Sequence, residues 1–139
     1  PLNFEMAATE DMVALACDLR PHACCLVPER RQEVTTEGGL DVAGQMDSLV
    51  AKVARLRHSG IRVSLFVDPD PLQIESAARV GAQVVELHTG AYAHRPAGME
   101  LDRLRAGAAA ARAEGLALHA GHGLPFENVG KVAAPDGVR

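Results

Sequence analysis

A surplus of positive charge is missing from this 139-residue chain: 14 basic side chains stand against 18 acidic ones, for a formal net charge of −4. That balance gives no support to a nucleic-acid surface, where a basic patch is expected. Long apolar runs are missing as well, and none approaches the ~18 residues that a membrane-crossing helix requires. No signal-peptide pattern is readable in the opening residues, and tryptophan is absent. The three cysteines form no CxxC pair. Cys24 and Cys25 are adjacent and poorly placed to pair with each other. With Cys17 they read as small apolar residues of a protein from a reducing compartment, so a cytoplasmic location is expected. The dinucleotide fingerprint GxGxxG is lacking too, since Gly38-Gly39 and Gly121-His122-Gly123 have neither its spacing nor its strand context. No linker or low-complexity stretch divides the chain.

What remains is a globular composition, 47% hydrophobic and 23% charged, of a length that suits one domain. Pro1-Leu2-Asn3-Phe4-Glu5 opens in an apolar run with no Met and no polar lead-in, as the middle of a longer protein does. Two periodicities then alternate. Leu2 to Met6 is a short apolar stretch carrying Glu5. Thr9 caps a helix with Met12, Leu15, Ala16 and Leu19 at helical spacing, which Pro21 stops. Ala23 to Val27 is the next apolar run. A second helix places Met46, Leu49, Val50, Val53 and Leu56 on one side and ends at Gly60. Arg62 to Val67 is a strand, and Asp70 with Pro71 starts a helix bearing Ile74, Ala77 and Ala78. Gln83 to Leu87 and Leu116 to Ala120 are further strands, separated by a loop through His94-Arg95-Pro96 and an Ala-rich helix from Glu100 to Glu114. Residues 125–132 start one more helix. About five strands, each followed by a helix and little alternating, predict a parallel α/β sheet, either doubly wound or part of a barrel. Eight barrel units take ~250 residues, so this length matches four or five of them.

Ligands of parallel α/β folds bind beyond the C-terminal strand ends. Those ends hold Glu5, residues 28–39, Asp68, the run Glu86-Leu87-His88-Thr89-Gly90 and the run His119-Ala120-Gly121-His122-Gly123. Glu5, on an apolar strand, is either a general acid/base tuned by its enclosure or a carboxylate bonded to a neighbouring loop. Glu86 and His88, two apart, face one side of their strand. Glu86 is either a site carboxylate or the partner of a basic group, and His88 is either a site residue or a loop anchor. The glycines around His122 allow close backbone approach and unusual dihedrals, with the Gly123 N–H available to an anion. Residues 28–39 form a long loop for this position. Arg30, Arg31, Thr35 and Thr36 suit a phosphorylated substrate there, or else are a solvated charge run.

Taken in order, these motifs closely resemble the pyridoxine 5′-phosphate synthase family of vitamin B6 biosynthesis. The residues that carry the likeness are Asn3-Phe4-Glu5-Met6-Ala7, the unbroken run from Cys24-Cys25-Leu26-Val27-Pro28 through Thr35-Thr36-Glu37-Gly38-Gly39 to Val42, Val63-Ser64-Leu65-Phe66-Val67-Asp68, Glu86-Leu87-His88-Thr89-Gly90 and Ala120-Gly121-His122-Gly123-Leu124. The resemblance implies a (β/α)8 TIM barrel of which residues 1–139 are a single incomplete segment, roughly its third through seventh strands. It implies condensation of 1-deoxy-D-xylulose 5-phosphate with 3-amino-2-oxopropyl phosphate to pyridoxine 5′-phosphate, with no metal and no organic cofactor. By position, Glu5 matches the family's acid/base glutamate, His122 its proton-donating histidine and Glu86 a glutamate supporting charged intermediates, while Thr35 and Gly123 match substrate-binding positions. Self-association of the full-length protein is expected, with no nucleic-acid or membrane partner. The family's first two strands and its last are missing, His119 stands where a polar amide is usual, and the tail from Ala133 to Arg139 departs from the pattern. The isolated chain is therefore expected to be inactive. Two alternatives remain: a metal-dependent barrel hydrolase using Glu86, His88, His119 and His122, and a non-catalytic truncated fragment.

Overall fold

The computed structural model describes residues 1–96 and 98–133; the departure of the tail from residue 134 onward lies outside them. Five strands alternate with helices: β1 (Asn3–Ala7), α1 (Glu10–Leu19), β2 (Ala23–Val27), α2 (Met46–His58), β3 (Arg62–Val67), α3 (Pro71–Arg79), β4 (Val84–His88), α4 (Gly90–His94), α5 (Met99–Ala113), β5 (Ala117–Gly121) and α6 (Phe126–Val132). All strand pairs are parallel, and the sheet order is β1-β2-β3-β4-β5.

That order decides between the two architectures. Crossovers between parallel strands are right-handed, so a chain that always steps in one direction lays every helix on the same face. A doubly wound sheet reverses direction and covers both faces; here there is no reversal. Burial agrees. Met6, Cys24, Leu26, Val63, Leu65, Val67, Val85, Leu87 and Leu118 point toward the helices and are buried, whereas Asn3, Glu5 and Arg62 on the opposite face are exposed. This is the wall of a barrel, curved around an inner face that collects the polar residues.

Local signals hold the helices in place. The Thr9 hydroxyl accepts from the Met12 N–H at 3.3 Å, and Asp70 accepts from the Leu72 N–H at 2.9 Å with Pro71 beginning α3. Each such cap contributes about 1 kcal/mol. Ile74 and Ala77 of α3 and Leu49, Val53 and Leu56 of α2 enter the core as their spacing predicts. The expected stripe of α1 is corrected. Val13 and Ala16 are its buried pair, and Leu15 and Leu19 are exposed, because the edge strand β1 and α2 offer cover to a narrow face only. Val50 of α2 is likewise exposed. The loop expected before α5 begins instead as the short helix α4, with Tyr92 buried in the core and its hydroxyl donating to the Asn128 carbonyl at 3.3 Å. No helix among the described residues is long and apolar enough to cross a membrane.

Candidate active site

Each strand brings alternate side chains to the inner face, and the register sets which of them meet. Glu86 of β4 pairs in register with His119 of β5, and Glu5 of β1 with Cys25 of β2. The Cys25 thiol reaches Glu86 Oε2 at 4.0 Å. Burial pushes the Cys25 thiol up to about 12, so it stays protonated and faces Glu86 as a neutral group. Burial also raises the Glu86 carboxyl; the His119 ring opposes this, and the Glu5 carboxylate across the sheet adds to it. The partner of Glu86 is thus Cys25 rather than a Lys or Arg. Glu5, expected to be enclosed, is exposed on the open inner face.

Gly121 has a different use from the one its sequence setting suggests. The unusual dihedrals fall on His122 (φ 86°) and Gly123 (φ 74°), not on Gly121. A Cβ at Gly121 would lie 2.5 Å from Glu86 Oε1. The glycine leaves room for the carboxylate of the adjacent strand.

His88 and His122 meet at the mouth, their ring centroids 4.8 Å apart and their planes nearly perpendicular. Phe66 at the end of β3 lies against the His88 ring, centroids 4.9 Å apart. The Gly90 N–H donates to His88 Nδ1 at 3.1 Å, so His88 anchors the start of α4 and carries its own proton on Nε2 when neutral. Burial first, and then the neighbouring His122, lower the His88 pKa from its usual 6.5. A neutral His88 ring therefore lies beside the exposed His122. These two line a cleft of about 460 Å³ together with Glu37, His94, Arg95 and Gly123.

The long loop is fastened to the same mouth by Asp68. This buried carboxylate accepts from the Thr35 hydroxyl and, at 3.1 Å, from the Gly39 N–H, while the Leu40 N–H donates to the Phe66 carbonyl at 2.7 Å. Burial raises the Asp68 carboxyl, opposed by these two donors. Arg103 of α5 reaches over to Glu37 at 2.7 Å and also to Glu100. Arg30 and Arg31 are exposed and do not line the cleft. An Asp68→Ala variant strands two donors, at ~1–3 kcal/mol for each one that stays buried. The expected result is faster limited proteolysis within residues 28–42 and a lower Tm; unchanged cleavage would remove the clamp role.

Among the described residues, no group of three His, Cys, Asp or Glu side chains is placed to hold a metal ion. Glu86, His88, His119 and His122 do not converge as the hydrolase alternative requires. Sequence reasoning missed Arg103, whose reach from α5 to the loop has no local signal. It also passed over Thr89, although a hydroxyl beside a strand-end histidine was visible.

Comparison with known proteins bears on the family and the fold. A family model described as "Pyridoxal phosphate biosynthesis protein PdxJ" matches residues 1–139. A pyridoxine 5′-phosphate synthase of Gluconobacter oxydans (strain 621H) is 68% identical over 133 residues, covering 96% of this chain and 57% of that protein. One of Xanthobacter autotrophicus (strain ATCC BAA-1158 / Py2) is 57% identical over 141 residues, covering 96% of this chain and 55% of that protein. The chain thus spans somewhat over half the length of these curated relatives. A crystal structure of a xylose isomerase domain protein from Planctomyces limnophilus superposes with a TM-score of 0.59 at 15% identity, covering 99% of this chain and 61% of that one, which shows likeness of fold alone. With the motifs, the singly wound sheet and the family match in agreement, the chain belongs to the PdxJ family of pyridoxal phosphate biosynthesis proteins.

Proposed function

We propose that these residues form the central part of the active site of a pyridoxine 5′-phosphate synthase, which condenses 1-deoxy-D-xylulose 5-phosphate with 3-amino-2-oxopropyl phosphate and releases phosphate and water. The observation that carries the reading is the perpendicular His88–His122 pair at the C-terminal ends of β4 and β5, with Glu86 two residues earlier on the inner face of β4 and Glu5 on that face of β1. Imine formation, enolisation, phosphate loss and ring closure each move a proton, and a mixed Glu/His set is suited to that work. Glu5 takes and returns protons. His122, exposed toward the cleft, donates to the leaving oxygen. Glu86 supports the cationic imine by its negative charge. Thr35, held at the mouth by Asp68, and Gly123 are the substrate-binding positions, with the Gly123 N–H as the donor to a phosphate oxygen.

The test is product formation from the two phosphorylated substrates by a complete synthase carrying these residues and by the 139-residue chain alone. The complete protein is expected to turn over and the isolated chain to form no product, because Glu5 stands exposed and both outer strands of the sheet lack a neighbour among the described residues. Product from the isolated chain would show that these residues suffice.

A further inference from the structure

We infer that Thr89 is a positioning residue for His122, holding its backbone in the left-handed conformation that aims the imidazole into the cleft. The inference rests on the reading of His122 as a proton donor and adds a residue to it.

His122 adopts φ 86°, a region L side chains rarely occupy, and it is one of two such non-glycine residues among those described. The other, Arg20, closes a helix, where a left-handed residue is ordinary. His122 has no such excuse, so its neighbours must hold it there. Thr89 is fully buried, and its hydroxyl lies 2.7 Å from both the Gly121 and the His122 carbonyl oxygens. Its N–H donates to the Gly121 carbonyl at 3.0 Å. One hydroxyl proton is thus shared between the carbonyls on either side of the His122 N–Cα bond, the bond whose rotation is φ. Turning His122 to an ordinary negative φ separates those two carbonyls and breaks the arrangement. The Thr89 carbonyl accepts from the Ala93 N–H at 2.8 Å, which ties Thr89 itself to α4. The brace therefore runs from α4 through Thr89 to the turn, and it acts on the backbone while the His122 ring stays free to exchange protons.

The experiment compares Thr89→Val, Thr89→Ser and His122→Ala in a complete synthase carrying these residues. Thr89→Val keeps the shape and removes the donor. It is expected to lower kcat by roughly 10- to 100-fold, the scale of a misplaced reacting group, with KM little changed. Thr89→Ser restores the hydroxyl and is expected to stay near the parent. If Thr89→Val does not fold, Thr89→Ala takes its place and the Ser–Ala difference in kcat is read instead. Parent-like kcat without the hydroxyl, or equal loss with and without it, overturns the inference. His122→Ala tells the two failures apart: loss of turnover there with a parent-like Thr89→Val sinks only the role of Thr89, whereas a parent-like His122→Ala sinks both.

Discussion

In a complete synthase carrying these residues, Glu86→Gln is expected to yield a protein that is more stable than its parent at neutral pH and nearly inert as a catalyst. Both effects come from one carboxylate. Glu86 sits on the inner face with a neutral thiol as its hydrogen-bond partner, and burial raises its pKa above the usual 4.5. In such a group the folded state binds a proton more readily than the unfolded one, so stability falls as pH rises from 4.5 through the raised value. The amide has no charge to desolvate and keeps an oxygen for the Cys25 thiol. The stability gap between variant and parent is therefore expected to be absent below about pH 4.5 and to open as pH rises. Thermal melts of both proteins from acid to neutral pH check this, and a gap independent of pH would refute the burial argument. Catalysis goes the other way. In the proposed mechanism Glu86 faces a developing cation, and removing a preorganised charge of that kind typically costs 10²–10³-fold, about 3 kcal/mol of barrier. Steady-state rates of pyridoxine 5′-phosphate formation measure it, and near-parental kcat would take Glu86 out of the proposed mechanism.

The second large effect is structural. Gly39→Ala is expected to destabilise the fold by about 1–3 kcal/mol or more, as overpacking of a tight core does. A Cβ there would lie 2.5 Å from the Asp68 backbone nitrogen and 2.9 Å from the Val67 carbonyl carbon. These are backbone atoms at the end of β3 and have no rotamer in which to yield. The loop must lift instead, and lifting it breaks the Gly39 and Thr35 bonds to Asp68. In a complete synthase carrying these residues, loss of stability is thus expected to come with weaker binding of the phosphorylated substrates proposed for Thr35. A drop in Tm with a raised KM would support both steps; an unchanged Tm would refute the clash of the loop with the end of β3. The Gly38-Gly39 pair was readable in the sequence as part of a long loop, but its purpose was not, because the clash is with a residue 29 positions away.

The α/β class, the five strands to within a residue or so, the caps at Thr9 and Asp70 and the strand-end positions of Glu86, His88 and His122 were legible, since they depend on periodicity, capping chemistry and the rule that parallel strands end at the site. The solvent-facing side of α1 was misjudged for the opposite reason. Leu15 and Leu19 have the spacing of a core stripe, yet burial depends on what lies opposite, and an edge strand covers little. The motifs likewise pointed to His122 and Glu86 by type and spacing. They said nothing of the Cys25–Glu86 contact, the perpendicular His88 and His122 rings, the Asp68 clamp or the hydroxyl of Thr89 between two carbonyls.

By itself, then, the sequence determined which elements form and which residues arrive at the C-terminal strand ends, because helix, strand and cap signals act within a few residues along the chain. Periodicity left barrel wall and doubly wound sheet both open, and the family motifs pointed to the barrel. The tertiary structure bears this out and alone gives the physical reason, a strand order that never reverses and so lays every helix on one face. It alone decided which charges share the inner face, since strand order and register join residues tens of positions apart and those distances set both the pKa shifts and the close contacts.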